Sequence, residues 1–241
     1  MKKISKIKDE TNTLLKDSET THGLKRVLRN LLKEISIYEN HIKGKERWEK
    51  EKDERRFDNI QIGGGKNILE GFFNIDIVPP ADLIYDIREG IPLEDQCSNF
   101  IFSEHFLEHV DYFISAKRII KDCYRILKPG GKIVIGVPDS GLAIEKYHSK
   151  DPDFYKKVIE KWYSKRDFLN HINTYIDLLN YHFRDQDDSE KYNPHFWSYD
   201  YEKLESILKE FGFKDIKRWD FDEKIANPKR EFGSVYVVGV K

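Results

Sequence analysis

Residues 57–76, Phe-Asp-Asn-Ile-Gln-Ile-Gly-Gly-Gly-Lys-Asn-Ile-Leu-Glu-Gly-Phe-Phe-Asn-Ile-Asp, decide the fold of this chain. Ile60 and Ile62 alternate with polar neighbours, which predicts a short strand. Three consecutive glycines end that strand: Gly63, Gly64 and Gly65. Glycines at the carboxyl end of a parallel strand allow a sharp turn and let backbone N–H groups approach a nucleotide-like ligand closely. The next apolar run ends at Asp76, whose carboxylate is placed to accept hydrogen bonds from ribose hydroxyls.

Further short motifs follow at regular positions along the chain. In order they are Asn74-Ile75-Asp76, Tyr85-Asp86-Ile87, Phe102 to Val110, Leu127 to Gly131 and Val137-Pro138-Asp139. Together with the glycines, in this order and spacing, they resemble the class I S-adenosylmethionine (SAM)-dependent methyltransferases. More narrowly, they resemble the branch found with polysaccharide and lipopolysaccharide biosynthesis. The resemblance is strong over residues 57–139 and weaker over the C-terminal fifth.

This resemblance implies an α/β fold with a Rossmann-like, mostly parallel seven-stranded sheet whose last strand is antiparallel. We expect residues 1–56 to form an N-terminal helical extension and residues 57–241 to form the SAM-binding domain, with a helical lid inserted after the fifth strand at 141–195. The chain departs from the family between Gly65 and Asp76, where too few residues remain for a long first helix. Because parallel strands are normally joined by a dozen residues or more, we expect an abbreviated crossover there.

The resemblance also implies a cofactor, SAM, with S-adenosylhomocysteine as its product. It assigns Asp76 to the ribose, and Asp86 and Ile87 to the adenine. The complete predicted cofactor-binding set is Gly63, Gly64, Gly65, Asp76, Ile77, Asp86, Ile87, Ser103 and Glu104. Asp86 also has a purely structural interpretation, as a turn aspartate.

Two residues are candidates for proton transfer. His105 follows the fourth predicted strand, beside the donor, and Asp139 follows the fifth. A sugar hydroxyl has a high pKa, so a general base should accelerate its methylation. For Asp139, helix capping or turn formation is the alternative role.

The segment His105-Phe-Leu-Glu-His109 also has the spacing of an inverted zinc-protease motif. His105 follows a strand instead of lying within a long helix, and the resembled family has Leu-Glu-His at this place without metal. The favoured interpretation therefore assigns no metal ligands and gives Glu108 and His109 capping and packing roles. A zinc-dependent hydrolase using His105, Glu108 and His109 is the less favoured alternative.

Apolar residues after Gly23 recur at steps of four and three, namely Leu24, Leu28, Leu31, Ile35, Tyr38 and Ile42. This spacing predicts a helix over residues 23–43 with a coiled-coil-like seam, ended by Gly44. The seam either packs on its own domain or pairs with a second copy as a homodimer. The charged run 45–56 is predicted to be a solvated helical turn or linker.

Composition limits the partners and the compartment. The 42 basic and 43 acidic side chains give a net charge of −1, which provides no general attraction to nucleic acid or an anionic membrane. Apolar runs are too short for a membrane span, and the N-terminus lacks the apolar region of a signal peptide. Two cysteines, Cys97 and Cys123, without zinc spacing, predict free thiols in a reducing cytosol. We therefore expect a cytoplasmic protein without a transmembrane segment.

Residues 141–195 are dense in aromatic and histidine side chains, which predicts a helical roof that selects the acceptor. Aromatic faces with scattered polar groups suit a sugar ring. The predicted function is methyl transfer from SAM to a hydroxyl, or an amine, of a small polar acceptor, specifically a sugar or glycan of surface-glycan biosynthesis. The alternative from another class is a non-catalytic protein of the same fold that binds or assembles a glycan-synthesis complex.

Overall fold

The computed structural model describes residues 2–163, 173–184 and 194–241. Its α-helices are α1 (Lys2–Lys16), α2 (His22–Glu51), α3 (Lys117–Ile126), α4 (Ser140–Ser149), α5 (Pro152–Val158), α6 (Tyr175–Arg184) and α7 (Tyr201–Glu210). Its strands are β1 (Asn59–Ile62), β2 (Phe73–Asp76), β3 (Leu83–Ile84), β4 (Ser98–Glu104), β5 (Leu127–Pro138), β6 (Lys214–Arg218) and β7 (Ser234–Val240). Within the described ranges, no helix is both long and apolar enough to span a bilayer.

The strands form one sheet in the order β3-β2-β1-β4-β5-β7-β6. Neighbours from β3 to β5 pair in parallel, and β7 is antiparallel to both β5 and β6. This confirms the predicted α/β fold with its mostly parallel sheet and antiparallel last strand. The strand order reverses between β1 and β4, and ligands of open α/β sheets bind at the carboxyl ends of the strands at such a reversal.

The central strands are buried on both faces. Ile60, Ile62, Ile75 and Ile101 are each at most 1% exposed, as expected for β-branched residues of a parallel sheet covered by helices. α3 and α7 supply part of that cover through Ile119, Ile120, Leu204 and Ile207, which belong to the same apolar cluster. The core therefore holds the carboxyl ends of β1 and β4 in fixed positions.

The connection from β1 to β2 contains turns and no helix over residues 63–72, which confirms the abbreviated crossover. Gln61, 4% exposed in β1, holds this connection in place. Its side-chain amide donates to the Asn67 carbonyl at 2.7 Å, and its oxygen accepts from the Leu69 N–H at 2.9 Å. A buried polar side chain thus replaces the missing helix as the support of the glycine turn.

α2 continues through Gly44, which corrects the prediction that the helix ends there. Gly44 is buried against β3, and a Cβ at that position would lie 1.6 Å from the Ile84 carbonyl oxygen. One turn later Trp48, 5% exposed, joins the main core and donates its indole N–H to the Pro92 carbonyl at 3.1 Å. The charged run from residue 45 is helical up to Glu51 and most of its side chains are exposed, which agrees with a solvated helical turn, but the buried Trp48 docks it on the core.

The described part of 141–195 is mainly helical, as predicted, in α4, α5 and α6. Phe154, Tyr155 and Val158 of α5 form a small cluster with Tyr175 and Phe232, separate from the main core. Residues 164–172 and 185–193 of the predicted insertion lie outside the described residues. The aromatic side chains that can be placed thus pack mainly on one another and on the chain before β7.

Candidate functional site

A cavity of about 300 Å³ lies at the carboxyl ends of β1 and β2 and beside the chain that follows β4. Six of the predicted cofactor residues line it: Gly63, Gly65, Asp76, Ile77, Asp86 and Ile87. Among the described residues, Gly64, Ser103 and Glu104 are not part of this lining. The strand reversal therefore brings most of the predicted set together around one space.

The glycine turn closes tightly on its neighbours. Gly63 has a φ of 68° and donates its N–H to the Ile75 carbonyl at 2.9 Å. A Cβ at Gly63 would lie 2.4 Å from Cγ of Phe106, so this position excludes any side chain. Gly65 has a φ of 56° and donates its N–H to Oδ2 of Asp76 at 2.8 Å. The turn and the acid are therefore one hydrogen-bonded unit.

Backbone hydrogen bonds hold the Asp76 carboxylate in place and leave part of its hydrogen-bond acceptor sites unoccupied. Its Oδ2 accepts from Gly65 and its Oδ1 accepts from the Val78 N–H at 3.0 Å. An ionised carboxylate offers about four lone-pair sites on its two oxygens. Two backbone bonds thus fix its orientation and leave lone pairs for hydroxyl groups of a ligand.

Asp86 is engaged in an ion pair inside the chain. Its carboxylate accepts from the Arg88 N–H at 3.1 Å and from the Arg88 guanidinium at 2.7 to 3.1 Å. The same guanidinium reaches Glu34 of α2 at 2.9 Å. The hydrogen bond to Asp86, ahead of that to Glu34, raises the pKa of Arg88, so the guanidinium keeps its charge.

α2 forms one wall of the cavity, which the sequence pattern did not predict. Its residues Lys33 and Ile37 line the space, and burial lowers the pKa of the Lys33 amine. One turn further along, the His41 ring packs on Tyr85 with centroids 4.3 Å apart, and its Nδ1 accepts from the Asp86 N–H at 3.3 Å. The heptad-like spacing gave no signal for this contact, because it identifies an apolar face and not its partner.

His105 lies in the cavity wall with an unusual backbone. Its φ is 52°, a left-handed conformation that is unfavourable for residues other than glycine. Its N–H donates to the Gly136 carbonyl at 2.8 Å, and its Nε2 lies 2.8 Å from the Ser234 Oγ. Its Nδ1 lies 3.7 Å from a carboxylate oxygen of Glu108. Strained residues of this kind concentrate at functional sites, which fits the predicted role of His105.

The Glu104 and Asp139 side chains do not line the cavity and make hydrogen bonds elsewhere. The Glu104 carboxylate accepts from the Tyr236 hydroxyl at 2.7 Å, the Asn227 N–H at 3.0 Å and the Arg230 guanidinium at 3.1 Å. Asp139 is 8% exposed and caps α4 by accepting from the Leu142 N–H at 3.1 Å. The structure thus places Glu104 in a buried network, and it gives Asp139 the capping contact that was its alternative role.

One cluster beside the cavity has metal-binding side chains. Glu108, His109 and His195 bring one potential ligand atom each to within 4.8 Å of one another. His109 also lines the cavity. Residues 107–109 form a short 3-10 turn and not a long helix, so His105 and His109 do not lie one α-helical turn apart as a zinc-protease motif requires.

A sequence model described as a methyltransferase domain matches residues 36–218. A search of curated proteins found no match. Similar solved structures include a SAM-dependent methyltransferase from Thermotoga maritima, described as a possible histamine N-methyltransferase, with 19% identity over 85% of this chain and 98% of that one (TM-score 0.43). Another, from Methanosarcina mazei, has 16% identity over 78% and 93% (TM-score 0.48). Phosphoethanolamine N-methyltransferase 2 of Haemonchus contortus, solved with SAM, has 14% identity over 77% and 49% (TM-score 0.41).

Proposed function

The chain belongs to the methyltransferase-domain family, and on that premise we propose that it transfers a methyl group from SAM to a small polar acceptor. The observation that carries this proposal is the cavity at the strand reversal, where Gly65 and Asp76 are joined by a 2.8 Å hydrogen bond. A turn with free space above it and an oriented carboxylate beside it is the arrangement that adenosyl ligands need.

The residues around the cavity fit the adenosyl part of SAM. Gly63 has no side chain, so the Phe106 ring packs directly against the backbone of the turn. The backbone itself therefore forms this part of the cavity surface. Asp76 keeps lone pairs for ribose hydroxyls, and Ile77 and Ile87 provide apolar surface for adenine. The resemblance assigns Asp86 to the adenine amino group; four contacts from Arg88 already hold its carboxylate, so a bound adenine would share that carboxylate with Arg88.

When bound, SAM supplies a methyl group on a sulfonium that already has a good leaving group. The protein therefore acts chiefly by holding donor and acceptor in line, which contributes about 7–11 kcal/mol to lowering the barrier. Lys33 and Ile37 of α2 and the Phe196 ring form part of the cavity wall. His105 accepts the proton of an acceptor hydroxyl. Asp139 remains the second candidate base, although its carboxylate caps α4.

For the acceptor we propose a sugar hydroxyl of surface-glycan biosynthesis. Phe106 and Phe196, the latter 56% exposed, offer aromatic faces at the cavity, and His105 and His109 offer polar groups beside them. Nucleotide-linked sugars and small amines can be compared as acceptors by measuring S-adenosylhomocysteine release. Turnover with sugars supports the proposal, and turnover with amines alone contradicts it. A protein that binds SAM without turnover in any assay supports the non-catalytic alternative.

Replacement of Asp76 by alanine is expected to weaken SAM binding by about 1–3 kcal/mol, because its ribose hydrogen bonds are lost. Isothermal titration of SAM into the purified variant measures this change. Asp9→Ala in α1, an exposed position outside the cavity lining, is the control and should bind SAM as the parent protein does. Equal affinities for the two variants would remove Asp76 from the site.

We further propose that residues 1–56 form a helical extension, docked on the rest of the chain through Gly44 and Trp48, whose helix α2 pairs with a second copy. Leu24, Leu31 and Tyr38 recur at seven-residue steps and are 45%, 41% and 46% exposed. A stripe of this period is typical of a two-helix seam. Leu31→Glu should therefore convert a dimer into a monomer in light scattering, and Asn30→Glu, on a neighbouring exposed position, should not. A parent protein that is monomeric at high concentration contradicts this arrangement.

A further inference from the structure

The strongest unassigned feature is the buried cluster of Glu108, His109 and His195. Glu108 is 2% exposed and His195 is 6% exposed, so both side chains are withdrawn from bulk water. The Glu108 carboxylate lies 3.9 Å from Nε2 of His109. The His109 and His195 rings make a T-shaped, edge-to-face contact with centroids 5.0 Å apart. Two imidazoles and one carboxylate are the donor set of many catalytic zinc sites.

The distances suit an ion with little rearrangement. The three potential ligand atoms lie within 4.8 Å of one another. Ligand atoms bound about 2.0–2.1 Å from a tetrahedral zinc lie about 3.4 Å apart, so the side chains need to close by at most about 1.4 Å. Rotation of the side chains about their own bonds provides movement of that size.

The fold places His195 against Glu108 by contacts that are independent of the side chains in question. The Glu108 carbonyl accepts from the N–H groups of Phe196 at 2.7 Å and Trp197 at 3.4 Å. The Trp197 ring stacks on Tyr112 with centroids 4.9 Å apart and an interplanar angle of 18°. A segment that comes 86 residues later in the chain is thereby fixed beside the turn that carries Glu108 and His109. Ligand positions held by backbone bonds are the preorganisation that a metal site requires.

A second observation comes from Tyr199, which is 1% exposed. Its hydroxyl has no hydrogen-bond partner among the described residues. The Glu108 carboxylate lies close enough to this hydroxyl to act on it electrostatically. Buried hydroxyls are normally hydrogen-bonded, and a metal-bound water beside Glu108 would supply the missing partner.

We propose that Glu108, His109 and His195 bind one divalent transition-metal ion, zinc by the choice of donors. The site goes beyond the proposed function, since SAM-dependent methyl transfer needs no metal in the mechanism above. Because His109 also lines the cavity, the ion lies at the cavity wall, on the same side as His105. It replaces the zinc-protease interpretation of the sequence, because the third ligand is His195 and not His105.

The test measures the metal itself. Protein stripped with a chelator is loaded with Zn²⁺ or Co²⁺, desalted, and examined for bound metal by mass spectrometry and for the visible absorption of protein-bound Co²⁺. We expect about one ion per chain in the parent protein and less than about a tenth of that in Glu108→Gln and His195→Ala, because loss of one of three ligands opens the site. His148→Ala, an exposed histidine of α4, is the matched control and should bind as the parent does.

Each outcome bears on the proposal. A parent protein that retains no metal, or variants that retain as much as the parent, would overturn the site and leave a buried hydrogen-bonded cluster. Circular dichroism of the stripped proteins verifies that Glu108→Gln is folded, so that loss of metal is not loss of structure. SAM titration separates the two proposals. A protein that binds SAM but retains no metal contradicts only the ion site, and a protein that retains metal but does not bind SAM contradicts only the proposed function.

Discussion

Gly63→Ala is expected to lower the free energy of unfolding by about 2–5 kcal/mol and to abolish measurable SAM binding. The left-handed backbone of Gly63 costs a side chain about 1–2 kcal/mol. Its new Cβ would meet three atoms of the Phe106 side chain at 2.4 to 2.5 Å, and overpacking of this kind costs about 1–3 kcal/mol. Because Phe106 lines the cavity, the displaced ring would narrow the space for the ligand.

Gly71→Ala is the control that separates the steric clash with Phe106 from the free-energy cost of placing a side chain on a left-handed backbone. Gly71 lies in the same β1–β2 connection and also has a positive φ, of 78°, but a Cβ there meets no atom within 4 Å. Urea denaturation should therefore show only the loss of about 1–2 kcal/mol for Gly71→Ala, with SAM binding retained. Equal destabilisation of the two variants would show that the contact with Phe106 has no role.

Gly44→Ala is expected to lower the free energy of unfolding by about 2–4 kcal/mol, against the usual effect of this substitution inside a helix. In an exposed helix interior, alanine is favoured over glycine by about 1 kcal/mol. At Gly44 the added Cβ would lie 1.6 Å from the Ile84 carbonyl oxygen, a backbone atom that cannot move aside. α2 must then lift from β3, which exposes Trp48 and forfeits about 1.5–3 kcal/mol of apolar burial.

Gly23→Ala supplies the control for Gly44→Ala in the same helix. Nothing lies within 4 Å of a Cβ at Gly23, in the first turn of α2, so alanine there should be neutral or stabilise by up to about 1 kcal/mol. Opposite signs for the two substitutions in urea denaturation would verify that α2 is docked through Gly44. A Gly44→Ala protein as stable as its parent would contradict the docking. SAM affinity should fall in Gly44→Ala as well, because Lys33 and Ile37 of α2 line the cavity.

Patterns close together in the chain predicted single elements well, and the fold as a whole was predicted from the family resemblance that several such motifs carry together. The strand before Gly63, the acid at Asp76 and the abbreviated connection between them all follow from local rules of strand length, turn chemistry and crossover length. Those rules act within about ten residues, where neighbours in sequence are neighbours in space. Gly44 shows the limit of these rules. A glycine after an apolar seam normally indicates the end of a helix, but here the helix continues, because β3 packs so closely on α2 that only glycine fits.

The sequence by itself predicted the glycine turn, the strands on either side of it and Asp76 at the end of the second, because turn chemistry and strand patterns depend on a few adjacent residues. Only the tertiary structure decided that α2 walls the cavity, that Glu104 turns to Arg230, and that His195 lies beside Glu108. Those contacts join residues tens to more than a hundred positions apart. Their partners are set by how the helices pack on the finished sheet, which no spacing within one segment encodes.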